Sequence, residues 1–255
     1  MDENRKVILT GILIIALIAL AVAVYYLFLR VQPREPAEIP DIMKKPRPGE
    51  EITLEEEVIE PIQVELDESD GVVRQLAGQL SSHPKLGFWL ATDELIRKFV
   101  ASVDNLASGQ SPRPHIDFFA PVGKFSVIKK GGLTVVDPAG YARYSQVADV
   151  FSSLDTEKCV RLYKQLKPSL QEAYQELGYP QGDFHDALKR AIVEVLRVPI
   201  VEDDILLEKE VVTYRMKDPE LESLSEAQKH LLRMGPENLR KIQLKLREMV
   251  RALGI

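Results

Sequence analysis

The chain of 255 residues contains a single cysteine, Cys159, which excludes an internal disulfide and cysteine-rich zinc sites. It has four histidines, and none has a partner at the spacing of a helical metal site. Also missing are a glycine-rich phosphate loop ending in Lys-Ser or Lys-Thr, a G-x-S-x-G nucleophile elbow and an H-E-x-x-H zinc helix. We therefore expect no metal and no other cofactor, and the pattern identifies no catalytic residues.

Positive charge is also scarce, because 33 Lys and Arg residues stand against 39 Asp and Glu residues, a formal net charge of −6. Between Gly49 and Asp70 there are ten acidic residues and no basic one. A negative field of this kind repels the phosphate backbone. We therefore expect no nucleic-acid partner.

The longest uncharged segment runs for 23 residues, from Val7 to Leu29. As a helix it is ~34 Å long, slightly more than the ~30 Å hydrocarbon core of a bilayer. We predict a permanent transmembrane anchor over residues 7–29, in contact with membrane lipid, after a tail of residues 1–6. A cleaved signal peptide is the alternative, because Ala21-Val22-Ala23 has the small-x-small form of a cleavage site.

Residues 30–65 are predicted to form a flexible Pro- and Glu-rich linker. Proline fixes φ and removes a backbone donor, so a proline-rich segment is extended rather than packed. The prolines of this segment are Pro33, Pro36, Pro40, Pro46, Pro48 and Pro61. The soluble domain is predicted to comprise residues 66–255, without internal repeats.

Helical spacing of apolar residues dominates this domain. Asp67 is predicted to cap a short first helix, and Thr92 a stronger one. The predicted inner face of the second helix consists of Leu95, Phe99, Val103 and Leu106. Asp155 begins a long periodic stretch that Pro168 is predicted to break or kink near Lys167.

The remaining turn and cap signals are local. Helix starts are predicted at Asp137-Pro138, at Asp183 and at Ser225, where Gln228 completes a capping box. Gly235-Pro236 is predicted to end that helix and open the last one. Alternation around Gly131-Gly132 predicts a β-hairpin, and residues 205–216 are the second β candidate. The predicted fold class is α+β, a mostly α-helical soluble domain with a small antiparallel β-hairpin or sheet, plus one N-terminal transmembrane helix.

Polar residues at two helix ends are the candidate binding residues. Asp104 and Asn105 fall near the end of the predicted Thr92 helix, and Arg233, Glu237 and Asn238 flank the Gly235-Pro236 joint. Solvent exposure or local capping would account for Asp104 and Asn105. Capping of two helix ends would account for the other three, because Arg satisfies terminal carbonyls and Glu in a first turn complements the helix dipole. Contact with a ligand or partner is the alternative.

Four segments between Leu66 and Leu253 occur in a characteristic order: DELIRKFVASVDNLA, DPAGYARY, LKPSLQEAYQELGYP and LLRMGPENLRK. Together with the anchor and the proline-rich linker, they resemble the bacterial family named domain of unknown function 3014. The resemblance implies a membrane-anchored protein of Gram-negative bacteria with a periplasmic domain. It implies no activity and no catalytic residues.

The leading functional hypothesis is a single-pass envelope protein of the bacterial inner membrane that binds an envelope protein or polymer without catalysis. The alternative is a hydrolase or transferase that acts on envelope material. Such an enzyme requires a deep pocket lined by several titratable groups with perturbed pKa values. The resemblance favours a periplasmic domain, whereas the count of basic residues flanking Val7–Leu29 favours a cytoplasmic one.

A reporter enzyme fused after Ile255 tests this topology, because its activity depends on the side of the membrane that the domain occupies. We expect activity from a reporter that works only outside the cytoplasm. An active cytoplasm-dependent reporter at the same position, with the first reporter silent, would overturn the periplasmic assignment.

Overall fold

A computed structural model describes residues 59–116, 123 and 125–255 of the chain. The predicted tail, the predicted anchor Val7–Leu29 and the linker up to residue 58 lie outside these residues. Within the described part of the chain, no helix is both long and apolar enough to cross a membrane. The described residues belong to one compact unit that ends at Ile255.

The described residues form mostly helices and one antiparallel sheet, which confirms the predicted α+β class for this part of the chain. The helices are α1 (Asp70–Ala77), α2 (Pro84–Trp89), α3 (Leu95–Ala107), α4 (Ser145–Ser152), α5 (Thr156–Glu176), α6 (Phe184–Leu196), α7 (Pro219–Glu222), α8 (Glu226–Leu232) and α9 (Pro236–Leu253). The strands are β1 (Val127–Lys130), β2 (Leu133–Val136), β3 (Leu206–Lys209) and β4 (Tyr214–Met216). Short 3-10 helices cover Leu66–Glu68 and Pro138–Tyr144.

The sheet has four strands in the order β1-β2-β3-β4, each antiparallel to its neighbour. Gly131 and Gly132 connect β1 to β2 with φ values of +57° and +80°, which suit the glycine pair of a tight hairpin. Residues 205–216 supply β3 and β4, and Leu207 of β3 lies opposite Thr134 of β2. Both sequence predictions about the sheet are therefore confirmed.

Side-chain caps begin several helices where the sequence places them. The carboxylate of Asp137 accepts from the N–H of Ala139 at 3.0 Å, at the start of the Pro138–Tyr144 turn. Asp183 caps α6, and Ser225 and Gln228 form the predicted capping box of α8. Each of these caps joins residues two or three positions apart, so the sequence signal is local and strong.

The predicted caps of the first two helices are wrong. Asp67 lies in the 3-10 turn before α1 and pairs with Arg97 at 2.9 Å. Helix α3 starts after Glu94, which has φ +58° and no capping side chain of its own. The carboxylate of Asp70, in α1, accepts from the backbone N–H of Glu94 at 2.7 Å and of Leu95 at 2.9 Å. Helix α3 is thus capped from another helix rather than by Thr92.

Helix α5 runs through Pro168 without a break, so of the two predicted outcomes, a break or a kink, the break is wrong. The carbonyl of Gln165, one turn earlier, accepts from the N–H of Ile62 at 2.9 Å. Leu166 and Leu170 are buried on either side of the proline. Packing on both flanks therefore offsets the cost of an internal proline, about 3 kcal/mol.

Two apolar clusters meet around α3 and α6. The first packs α1, α3, α5 and α6, with the side chains of Val100, Ala187 and Phe184 fully buried. The second packs α4 and α6 against α8 and α9. Helix α3 buries Ile96, Val100 and Val103, whereas Phe99, predicted on the inner face, remains 47% exposed.

At the joint between α8 and α9 the backbone of Gly235 lies close to the side chain of Tyr141. Gly235 has φ +82°, and a Cβ at this position would lie 2.4 Å from the ring of Tyr141. Asn238 is buried, and its Nδ2 donates to the carbonyls of Tyr141 and Met234, both at 2.9 Å. The joint therefore fixes α9 against the chain that leads into α4.

Gly235→Ala is expected to lower the free energy of unfolding by roughly 3 kcal/mol or more, because it combines a left-handed backbone with overlap of the Tyr141 ring. Gly71→Ala is the matched control, since it lies in α1 with no atom within 4 Å of its Cβ. The control is expected to be neutral or to gain up to about 1 kcal/mol from helix propensity. Denaturant unfolding of the full chain measures the change in the free energy of unfolding for each variant. Equal changes in the two variants would contradict the close packing at the joint.

Candidate functional site

A cavity of about 300 Å³ lies between α3, α4, α6, α8 and α9, where the two apolar clusters meet. We call it the central cavity. Its lining consists of Phe99, Val103, Leu106, Pro112, Arg113, Ile116, Tyr144, Val147, Phe151, Leu188, Ala191, Ile192, Val195, Ala227, His230, Leu231, Met234, Ile242 and Leu246. The volume is at the lower end of the range of small-molecule sites.

The walls of the central cavity come from helix faces whose apolar residues belong largely to the second apolar cluster. Phe99 makes an edge contact with Phe184, at 6.1 Å between ring centroids, and leaves much of its other side open. Val147 and Leu188 contribute to the walls from α4 and α6. The exposed residues Phe99 and Arg113 mark where the cavity opens to solvent.

Three polar residues, Ser111, Arg113 and His230, form what we call the rim of the cavity. The Ser111 hydroxyl and the Nδ1 of His230 are hydrogen-bonded at 2.8 Å. Asn105, at the end of α3, donates its Nδ2 to the Ser111 carbonyl at 3.2 Å. The bond between Ser111 and His230 joins residues 119 positions apart, and it holds the Ser111–Arg113 segment against α8.

Burial lowers the pKa of His230 below its ordinary value, and the nearby positive charges of Arg233 and Arg113 lower it further. The imidazole is therefore mostly uncharged at neutral pH. Among the described lining residues there is no carboxylate, thiol or aliphatic hydroxyl. His230 therefore has no acidic partner in the lining with which to form an acid–base pair.

The structure brings two of the five candidate residues near the rim. Asn105 supports Ser111, and Arg233 lies one helical turn after His230, with its guanidinium 5.8 Å from the ring centre of Phe125. None of the five lines the central cavity itself. A binding role for Asn105 or Arg233 stays a prediction.

The other three candidates lie elsewhere. Asp104 accepts a long bond of 3.4 Å from the hydroxyl of Tyr179. Glu237 is exposed and pairs with Lys241 at 3.2 Å, one turn along α9. Asn238 is buried at the joint, where it bonds two carbonyls. These contacts are structural, and a ligand role for the three residues stays a prediction.

No strong sequence signal predicted the rim. His230 is the only titratable residue of α8 that lines the cavity, and nothing in the short, mixed polar and apolar segment EAQKHLL marks it. Arg113 lies between two prolines in a loop, where a single arginine carries no pattern. Only the tertiary fold shows that these residues meet.

The remaining reactive groups give no second site. No group of three or more His, Cys, Asp or Glu residues is arranged for a metal within the described ranges. Burial raises the pKa of the Cys159 thiol to about 11, with a further contribution from Asp155, so the thiol is protonated at neutral pH. An open groove beside Lys164 and Lys167 is partly occupied by Gln171, which bonds Gly182 and Phe184.

Comparison with known families gives one match. Residues 95–250 match the family described as protein of unknown function (DUF3014). The chain belongs to the DUF3014 family. Every described residue that lines the central cavity falls within the matched part of this DUF3014 chain. No curated protein and no solved structure matches the chain.

Acidification is expected to destabilise the DUF3014 chain through His230. Its pKa is lower in the folded state, so the unfolded state binds the proton first and the free energy of unfolding falls as the pH drops through about 6.5. His230→Asn retains a polar atom for Ser111 and removes the titration. Thermal melts are recorded at about pH 7.5 and about pH 5.5, on either side of the ordinary pKa of histidine. The fall in melting temperature between the two pH values is expected to be larger for the wild type than for His230→Asn. An identical loss in both proteins would contradict this role.

Proposed function

We propose that this DUF3014 chain is a membrane-tethered binding module of the bacterial envelope, and that its central cavity binds an apolar chain. In this proposal residues 7–29 anchor the protein in the inner membrane and residues 30–65 carry the domain away from the bilayer. The domain works by binding and performs no catalysis.

The composition of the central cavity is the observation that carries the proposal. Sixteen of its lining residues are aliphatic, aromatic without a polar group, or proline, and the polar exceptions are Arg113, Tyr144 and His230. Burial of apolar surface is roughly worth 25 cal/mol per Å², so an aliphatic chain gains from entering such a space. A hydrolytic site instead requires carboxylates or a nucleophile beside a base.

The proposals of a membrane anchor and of an envelope location are based on the amino-acid sequence. The run from Val7 to Leu29 is uncharged and long enough to cross a bilayer, and the proline-rich segment follows it directly. A tether of this composition allows the domain to approach lipid or other envelope components. An apolar chain held in the central cavity could therefore belong to a lipid or to a lipid-modified envelope partner.

The alternative of a hydrolase or transferase lacks a comparable observation. Two of the perturbed pKa values lie at isolated groups, the thiol of Cys159 and the phenol of Tyr163, which burial raises to about 12. Tyr163 bonds the Nδ1 of His185 at 2.7 Å, outside the central cavity. These groups do not converge on one cleft.

Photolabelling tests the proposal. The full chain in liposomes is exposed to a medium-chain fatty alcohol that carries a diazirine at its far end, and labelled peptides are mapped by mass spectrometry. Labels are expected on the parts of α3, α6 and α8 that line the cavity. Val147→Phe and Leu188→Phe, which enlarge side chains on two walls, are expected to remove most of this labelling.

Val193→Phe is the matched control, because Val193 is on α6 and exposed, and it does not line the cavity. Its labelling is expected to equal that of the wild type. Thermal melts check that each variant is folded. Labelling of α3, α6 and α8 that is unchanged in both wall variants would show that the central cavity is not the site.

A further inference from the structure

Two arginines at the opening of the central cavity have no carboxylate partner among the described residues. Arg113 lines the cavity and is exposed to solvent. Arg233 is also exposed and precedes the lining residue Met234. Its contact with the face of Phe125 leaves the guanidinium N–H groups available for a ligand.

Some arginines elsewhere on this surface are paired with carboxylates, whereas others, such as Arg190 and Arg197, have no carboxylate partner among the described residues. Arg97 contacts Asp67 at 2.9 Å and Glu176 at 2.7 Å, and Arg215 contacts Glu208 at 2.5 Å. The domain carries more acidic than basic residues, so unpaired arginines are not forced by composition. What distinguishes Arg113 is its position, since it is the only Arg, Lys, Asp or Glu among the described residues that line the apolar central cavity.

The electrostatic environment of the opening is positive. The described lining contains no Asp or Glu that would neutralise the two guanidinium groups. Arg113 and His230 both line the cavity, and Arg233 lies three residues after His230 at the end of α8, so the side chains of His230 and Arg233 are neighbours on one helix face. Positive charge beside an apolar space is attractive to a molecule with an anionic end and an apolar end.

We infer that the ligand of the central cavity is an anionic amphiphile, an aliphatic chain with a carboxylate or phosphate head, and that Arg113 and Arg233 bind the head. This inference rests on the proposed function and names the ligand class of the same site. The chain enters the apolar space lined by α3, α4 and α6, and the head stays at the solvent boundary. The planar guanidinium forms paired N–H···O bonds with carboxylate and phosphate oxygens.

The size of the site favours a single chain. A cavity of about 300 Å³ is too small for a folded partner segment and suits one aliphatic chain. The charged head determines the orientation of the ligand in the cavity, because burying a charged group costs free energy and the arginines lie only at the opening.

Photolabelling with matched probes tests the inference on the full chain in liposomes. The probes share one diazirine-bearing chain and differ in the head, which is a carboxylate, a lysophosphatidic acid head or a neutral alcohol. The two anionic probes are expected to label the central cavity more efficiently than the alcohol. Arg113→Ala and Arg233→Ala are each expected to reduce anionic labelling by on the order of tenfold, as for loss of one charged hydrogen bond.

Control variants separate the head contact from general effects. Arg190→Ala removes an exposed arginine of α6 that does not line the cavity, and it is expected to leave labelling unchanged. Arg113→Lys retains the charge without the planar fork and is expected to restore part of the labelling. Labelling by the neutral alcohol is expected to be the same in all these variants.

The outcomes are distinguishable. If the alcohol labels the cavity as well as the anionic probes do, and the arginine variants change nothing, the inference fails and the proposed function stands. If no probe labels the cavity, both fail. If one anionic probe labels the cavity more efficiently than the alcohol does, the inference holds. The head of that probe then shows whether the ligand carries a carboxylate or a phosphate.

Discussion

The close approach of Gly235 to the ring of Tyr141 is the constraint on which the arrangement of the C-terminal half depends. A side chain at position 235 would separate α8 from the 3-10 turn before α4. With the two in contact, Asn238 bonds carbonyls on both sides of the joint, and no buried polar side-chain atom within the described residues lacks a partner. The same joint places Met234 and Ile242 in the wall of the central cavity.

The central cavity follows from this arrangement and from the packing of α3. Helix α3 packs Ile96 and Val100 in the first cluster, with Leu106 against it. Leu106 also borders the cavity together with Phe99, which remains partly open to solvent. An apolar face left partly open costs free energy in water. Occupation by an aliphatic chain would offset that cost, and this is the physical basis of the proposed binding role.

Local signals in the sequence predicted a large share of the fold. The cap at Asp183, the capping box at Ser225 and the hairpin turn at Gly131-Gly132 all depend on residues within three positions of one another. Apolar spacing predicted the main helices for the same reason, since a helix face is a property of one short segment. Of the candidate site, the sequence identified Asn105 and Arg233 as polar residues at helix ends and missed the rim.

What only the tertiary structure decided involves partners far apart in the chain. Asp70 caps α3 from another helix, and the N–H of Ile62, far away in the sequence, donates to the Gln165 carbonyl of α5. His230 meets Ser111 across 119 positions, which forms the rim beside Arg113. The sequence by itself determined which segments become helices and turns, because propensity, capping and periodicity act over a few residues. Which faces remain open and which charges gather at one opening were decided by packing between distant segments.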